Sequence, residues 1–154
     1  VHEAKDELGE PLHIVHRDVS PQNVMISVEG VPRLLDFGVA KARTSGHQTG
    51  EGFRKGKLTY MAPEQHGSDP VTRVADVYAT GVVLWELLVN SRFRGDLDDV
   101  AFFSMLTHGG APTITGALAD ERESMATLRW EILVALAPIV TRALSVNPAD
   151  RFQT

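Results

Sequence analysis

The chain of 154 residues contains no cysteine, which excludes a disulfide framework and thiolate chemistry. Its 15 lysines and arginines are outnumbered by 20 aspartates and glutamates and form no basic run, which argues against nucleic-acid binding as the main task. No apolar run approaches the ~20 residues that a membrane span needs, and the N-terminus lacks a signal-peptide pattern. We therefore expect a cytoplasmic segment with no nucleic-acid partner and no membrane span. A membrane anchor elsewhere in a parent chain stays open.

A hairpin pattern lies in the first quarter of the chain. Val24–Ser27 and Val31–Leu35 are short apolar or β-branched runs separated by Glu29-Gly30, which predicts two antiparallel strands joined by a tight turn. Polar residues flank the runs at the end away from that turn.

Two carboxylates and an amide should meet at that end of the hairpin, because Asp18 and Asn23 precede the first run and Asp36 follows the second. Carboxylate and amide oxygens are ligands that a hard cation accepts. A carboxylate beside such a cation is also suited to accept a proton. Together these features are what phosphoryl transfer requires.

Three motifs occur in an order that is diagnostic as a set. His16-Arg17-Asp18 with Asn23 comes first, Asp36-Phe37-Gly38 second and Ala62-Pro63-Glu64 third. Each motif alone is weak, but all three in order, with the expected strands between them, are typical of protein kinases. The chain resembles a eukaryotic-like serine/threonine protein kinase of the type found in bacteria.

The resemblance implies an α+β, protein-kinase-like fold: a mainly α-helical C-terminal lobe with small β-hairpins. No glycine-rich phosphate loop or strand lysine precedes His16, so we expect the N-terminal lobe to be absent and residues 1–154 to be the C-lobe portion of the catalytic domain. Within it we expect a catalytic loop at 16–23, an activation segment at 36–64 and a central helix at 72–89. Apolar residues on almost every face of that last stretch independently predict a helix buried all round.

The resemblance also implies roles in binding ATP and Mg²⁺. Asp18 would accept the proton of the substrate hydroxyl or orient that hydroxyl. Asn23 would hold a magnesium ion, and Asp36 would ligate magnesium that bridges the ATP phosphates. Met25 matches the residue that forms the apolar floor under adenine, although plain strand packing is an alternative for a methionine there.

Other matching residues would be structural. His16 and Phe37 resemble members of an apolar spine that stacks between the lobes. Glu64 would form a buried ion pair with Arg151 and anchor the far end of the activation segment. Asp76, in the first turns of the central helix, would bond to the backbone of the catalytic loop.

The activation segment suggests regulation by phosphorylation. The resemblance pairs Arg17 with a phosphate on that segment. The candidate phosphosites are Thr44, Ser45 and Thr49, with Thr49 favoured by its distance from the peptide-seating stretch 56–60. An unmodified, solvated loop is the alternative.

Two departures from the family pattern concern the catalytic site. Serine/threonine kinases usually carry lysine at the position of Ser20 and threonine at the position of Lys57. The resemblance implies that these two positions meet at the catalytic aspartate, here Asp18, so the ammonium and the hydroxyl would be exchanged between two loops. We predict that Lys57 reaches Asp18 and stabilises charge on the transferring phosphate, while Ser20 supplies the hydroxyl. A solvated Lys57 is the alternative.

The expected function is transfer of the ATP γ-phosphate to a serine or threonine hydroxyl of a protein substrate. The Asp18-x-x-Pro21-x-Asn23 spacing favours serine/threonine over tyrosine, and the chain without its N-terminal lobe should be inactive. A pseudokinase that scaffolds partners and a stand-alone peptide-docking module are the alternatives.

Two helices are predicted near the end of the chain. Residues 97–107 have the period of an amphipathic helix with Val100, Phe103 and Leu106 on one stripe. Pro138 should either start a new helix near Leu136, which we favour, or kink a helix that continues through it.

Overall fold

The computed structural model describes residues 5–10, 12, 14–36, 58–67 and 70–153. These residues form a helix-rich fold with one two-stranded antiparallel sheet, so the predicted fold class is confirmed. The principal elements are β1 (Val24–Ile26), β2 (Pro32–Leu34), α1 (Val74–Val89), α2 (Asp99–Ser104), α3 (Ile114–Ala117) and α4 (Thr127–Ala143). Among the helices described, none is long and apolar enough to cross a membrane.

Helix α1 is the centre of the core. It begins at Val74, where the Thr72 carbonyl accepts a hydrogen bond from the Ala75 amide, and it ends at Asn90, whose left-handed backbone (φ 56°) stops the helix. Buried side chains cover most of its surface, but Thr80 and Leu87 are exposed on one side, Leu87 to 72%, so the prediction of a helix buried all round is only partly correct. Helix α1 therefore packs on several neighbours at once, including α3 and α4.

Helices α1 and α4 approach closely at Gly81. A Cβ atom at this position would lie 2.9 Å from Ala143 Cβ and 3.2 Å from Leu144 Cδ2. These distances are shorter than normal contacts, so glycine is required for this separation of the helices.

Helix α4 corrects the favoured prediction at Pro138. A single helix runs from Thr127 to Ala143 with Pro138 inside it, and no new helix begins near Leu136. Proline removes the hydrogen bond to the Val134 carbonyl, but Pro138 and Val134 are both exposed. Because water can solvate that carbonyl, the helix continues.

Helix α2 is shorter than predicted and its buried face differs. Val100 is 80% exposed and Phe103 is also exposed, whereas Phe102 and Leu106 are buried. The α-helix ends at Ser104 and a π-helical turn follows at Met105–Gly109. Phe102 lies four residues before Leu106 and so shares its side of the helix, whereas Val100 and Phe103 do not, so the predicted stripe is wrong.

The hairpin has the predicted strands, each shorter by a residue or two. Val24 pairs with Leu34 and Ile26 with Pro32. Gly30 has φ 79° in the connecting turn, a conformation that glycine adopts without strain.

Candidate active site

Asp76 of α1 holds the backbone of the loop at 16–18. Its Oδ2 accepts a 2.8 Å hydrogen bond from the His16 amide and its Oδ1 a 2.8 Å bond from the Arg17 amide. Arg17 has φ 65°, a left-handed conformation that costs a non-glycine residue about 1 kcal/mol or more. The two bonds to a buried carboxylate stabilise that conformation.

His16 joins the same loop to the end of β2. The Asp18 amide donates to Nδ1 of His16 (3.3 Å), and Nε2 lies 3.0 Å from the Leu35 carbonyl. Since Nδ1 is the acceptor, we assign the proton to Nε2, which donates to Leu35. The buried ring thus fixes the distance between Asp18 and the hairpin.

Backbone contacts link the residues that the sequence predicted to meet at one end of the hairpin. Nδ2 of Asn23 donates to the Asp18 carbonyl (2.7 Å), and the Leu35 amide donates to the Asn23 carbonyl (2.8 Å). Asp36 follows Leu35 directly and has φ 52°. These contacts bring the backbone of Asp18, Asn23 and Asp36 together.

The donor set suits magnesium bound together with phosphates. Within the described ranges, no group of three or more His, Cys, Asp or Glu residues is arranged to hold a metal ion by itself. Magnesium usually takes only one or two protein ligands and completes its shell with phosphate oxygens and water. Because the Asn23 amide nitrogen bonds the Asp18 carbonyl, its Oδ1 is the side-chain oxygen left for a ligand. One amide and one carboxylate fit such an ion.

Glu64 and Arg151 form the ion pair expected from the resemblance. Nη1 and Nη2 of Arg151 lie 2.6 and 2.8 Å from the two Glu64 oxygens. Arg151 is fully buried and also donates to the carbonyls of Val74, Ser145 and Val146. All five guanidinium N–H groups are therefore used, which compensates the burial of the charge.

The remaining predicted residues divide into two groups. Met25 is 55% exposed on β1, Arg17 is exposed, and Ser20 is buried. The others lie outside the described residues, so nothing tests their predicted roles: Phe37, Thr44, Ser45, Thr49 and Lys57.

A second polar network beside the loop was missed from the sequence. Tyr60 Oη donates to Glu86 Oε2 (2.7 Å), and the Phe93 amide donates to Glu86 Oε1 (2.9 Å). Burial, followed by the Glu86 hydrogen bond, raises the pKa of Tyr60, so its hydroxyl remains a donor. A groove of about 650 Å³ is lined by Tyr60, Glu86 and the loop residues Pro21 and Gln22. The signal available in the sequence was Glu86, an acid within the apolar second half of α1.

The family model for the protein kinase domain matches residues 10–153. The chain belongs to the protein kinase family.

Curated relatives are bacterial kinases of both substrate classes. The chain is 39% identical over 153 residues to the tyrosine-protein kinase MasK of Myxococcus xanthus (strain DK1622), a match that covers 99% of this chain and 22% of MasK. It is 34% identical over 141 residues to the serine/threonine-protein kinase PknE of Mycobacterium tuberculosis, covering 90% of this chain and 22% of PknE. The chain thus spans about a fifth of the length of these relatives.

Proposed function

We propose that residues 1–154 form the C-lobe portion of the catalytic domain of an ATP-dependent protein serine/threonine kinase. The observation that carries this proposal is the support of the catalytic loop. Asp76 binds two successive loop amides, and Asn23 binds the carbonyl of Asp18. This arrangement preorganises the side chain that must meet the substrate hydroxyl, and positioning dominates phosphoryl transfer.

Asp18 is the proposed acceptor of the hydroxyl proton. The substrate oxygen forms a new bond to the γ-phosphorus, the bond from that phosphorus to the β–γ bridging oxygen breaks, and ADP leaves with the electron pair. Asn23 and Asp36 would hold Mg²⁺, which when bound neutralises charge on the phosphates. Met25 would lie against adenine, with its exposed apolar side chain on β1.

Regulation is proposed to act through Arg17. This exposed arginine would pair with a phosphate on Thr44, Ser45 or Thr49 and order the activation segment at 36–64. His16, together with Phe37, would contribute to an apolar spine against the N-terminal lobe.

The exchange of Ser20 and Lys57 is proposed to keep an ammonium beside Asp18. Lys57 would approach the transferring phosphate and Ser20 would support the loop. In the full-length protein, Lys57→Met should lower kcat, and Lys57→Thr with Ser20→Lys should retain more activity than either single change. An unchanged turnover in Lys57→Met would contradict the exchange.

Serine/threonine substrates are favoured by the Asp18-x-x-Pro21-x-Asn23 spacing and by the name of PknE. The name of MasK favours tyrosine as a second candidate. Phosphoamino-acid analysis of the products distinguishes the two, since the acceptor residue is read directly.

The test is phosphate transfer from labelled ATP to a protein mixture by the full-length protein. Asp18→Asn should lower kcat by about 10²–10⁴-fold, the contribution of a general base. Asp36→Asn should lose activity mainly at low magnesium, since a neutral amide is a poorer ligand for a hard cation. Asp120→Asn, which alters an exposed carboxylate away from the loop, is the control.

Three outcomes would contradict parts of this proposal. Binding of peptides without transfer would favour a pseudokinase or docking module. Near-normal turnover in Asp36→Asn would remove its metal role. Steady turnover by residues 1–154 alone would disprove our expectation that this segment needs an N-terminal lobe to position the phosphates.

A further inference from the structure

Helix α2 carries an exposed apolar surface that the proposed function does not use. Val100 is 80% exposed and Phe103 41%, and Leu97, just before the N-cap of α2, is 39% exposed. Val100 and Phe103 are three residues apart, so they are neighbours on the surface of the helix. Single exposed apolar residues are common, but a group of them marks an interaction surface. We call Leu97, Val100 and Phe103 the α2 patch.

The α2 patch adjoins the catalytic loop through the groove described above. Leu97 lines that groove of about 650 Å³ together with Pro21 and Gln22. These two loop residues follow Asp18 by three and four positions. A protein that places a hydroxyl at Asp18 and continues along the groove therefore reaches the patch.

The other side of the patch rests on an anchored segment. The ring of Phe103 contacts the ring of His66 edge-on, with 5.2 Å between the ring centroids. His66 follows Glu64 by two residues, and Glu64 is held by its ion pair with Arg151. The patch is therefore preformed, which lowers the cost of ordering it when a partner binds.

Both arginines of the groove lie beside acids. Nη2 of Arg94 lies 2.5 Å from Oδ1 of Asp99, and its Nε donates to a backbone carbonyl. Arg92 lies near the hydrogen bond between Tyr60 and Glu86, since its charge opposes the rise of the Tyr60 pKa that burial and Glu86 cause. The negative charge of Glu86 thus offsets that of Arg92.

Asp96 is an acid of the groove that these contacts do not use. It is exposed and directly precedes Leu97, and within the described ranges it forms no ion pair. Asp98, on the other side of Leu97, is used at the N-cap of α2, where its Oδ1 accepts from the Ala101 amide. Asp96 therefore offers a negative charge beside the patch with which a basic side chain can pair.

We propose that the α2 patch and Asp96 dock protein substrates that carry a basic side chain next to a large apolar one. The apolar side chain covers Val100, and the basic side chain pairs with Asp96. This docking takes place away from Asp18, so it selects the substrate protein and is not part of phosphoryl transfer. The inference rests on the proposed function and names its substrate class, but the binding itself requires no catalysis.

The first test compares the binding of two labelled peptides to the full-length protein by fluorescence anisotropy. One peptide repeats Lys-Leu, and the other, of equal length, repeats Glu-Leu. We expect the Lys-Leu peptide to bind about 3–10-fold more tightly, because attraction to Asp96 in one case and repulsion in the other add up. Equal affinities, or a preference for Glu-Leu, would overturn the proposal.

Variants of the patch locate this binding. Val100→Ser should weaken binding of the Lys-Leu peptide about 3–10-fold through lost apolar burial, and Asp96→Asn about 2–5-fold through a lost surface ion pair. The matched controls are Val134→Ser, at an exposed valine of α4, and Asp120→Asn, at an exposed acid outside the groove. Both controls should leave the affinity unchanged. Equal losses in the patch variants and the controls would overturn the proposal, since the peptide would then bind the acidic surface in general.

The second test separates docking from catalysis in phosphate-transfer assays. Val100→Ser should raise the KM for a lysine-rich protein substrate about 3–10-fold, while kcat and the KM for ATP stay within about twofold. A short peptide that carries only an acceptor serine between alanines should show no change. A lower kcat with an unchanged KM for the protein substrate would contradict a docking role.

The two tests distinguish failure of this inference from failure of the proposed function. Peptide binding that depends on Val100, without phosphate transfer, would support the patch and contradict the kinase function. Phosphate transfer that does not change in Val100→Ser would do the reverse. A dimer in sedimentation that Val100→Ser dissociates, with unchanged peptide affinity, would show that the patch joins two copies of the chain and would overturn the proposal.

Discussion

Burial of polar and apolar side chains follows opposite patterns at the base of α1 and on the hairpin β1–β2. At the base of α1, charged Glu64, Asp76 and Arg151 are buried, and each is bonded to protein groups. On the hairpin, apolar Ile26 and Val28 are exposed, Val28 completely. One region buries charge, and the other exposes hydrocarbon.

The difference separates groups that stabilise the fold from groups available for binding. A buried charge persists only where it is paired and hydrogen-bonded, as around Arg151. Exposed apolar residues that lie together mark interaction surfaces. Met25 is exposed as well, but it lies on the opposite face of β1 from Ile26, because successive side chains of a strand alternate. The proposed ATP site uses the face of Met25.

The largest expected effect comes from breaking the ion pair at the base of α1. Arg151→Met should lower the free energy of unfolding by about 3–5 kcal/mol, because it leaves the Glu64 carboxylate buried without its counter-ion. Urea unfolding followed by circular dichroism measures the change. Arg142→Met, which removes an exposed guanidinium stacked on Phe152 together with its 3.4 Å bond to the Asp150 carbonyl, is the control at about 1 kcal/mol or less. Equal losses of unfolding free energy in Arg151→Met and Arg142→Met would contradict the distinction between buried, paired charges and exposed ones.

A smaller loss is expected at Asp76. Asp76→Asn places an N–H group against one of two backbone donors, so it should cost about 1.5–3 kcal/mol, the value of hydrogen bonds to a charged group. Kinase activity of the full-length protein should fall with it, since Arg17 loses support. Asp98→Asn is the matched control. Asp98 also accepts a backbone bond, from Ala101, but it is exposed at a helix N-cap, where asparagine serves equally well.

The contact between α1 and α4 gives a third prediction. Gly81→Ala should destabilise the protein by about 1–3 kcal/mol through overpacking, because its new methyl group would meet Ala143 Cβ at 2.9 Å. Ala143→Gly combined with Gly81→Ala should recover most of that loss, as measured by the thermal midpoint. No recovery in the double variant would mean that the Leu144 contact, and not Ala143, sets the helix separation.

The features predicted best from the sequence are those that depend on hydrophobic periodicity and on the spacing of motifs. The hairpin, the buried α1 and the pairing of Glu64 with Arg151 could be expected, because turn chemistry, an all-round apolar helix and a family motif each point to one arrangement. The role of Asp76 toward the His16 and Arg17 amides also came from the resemblance, since the two lie 60 residues apart.

The predictions that failed concern features that depend on tertiary packing. The helix through Pro138 continues because the affected carbonyl faces water, which no local pattern reveals. The buried face of α2 contains Phe102 and not Phe103, a choice between neighbouring phenylalanines that depends on what the helix packs against. The Tyr60–Glu86 hydrogen bond was missed because it joins two residues 26 positions apart that only the tertiary fold brings together.

The smallest change in the free energy of unfolding is expected at the tip of the hairpin. A valine-to-threonine substitution there can be compared with the same substitution in α1. Val28→Thr should change the free energy of unfolding by no more than about 0.5 kcal/mol, since a fully exposed side chain gains or loses little. Val82→Thr, in the middle of α1 where no side-chain surface is exposed, should cost about 1–3 kcal/mol, because its hydroxyl enters an apolar core.

Urea unfolding of both variants and of the unmodified protein measures these changes. Valine and threonine side chains have nearly the same volume, so changes in packing do not obscure the comparison. A loss above 1 kcal/mol for Val28→Thr would mean that the hairpin tip packs against another part of the protein. In that case Ile26 and Val28 would already be covered by protein. Only Met25 and its neighbours would then remain available for the proposed binding.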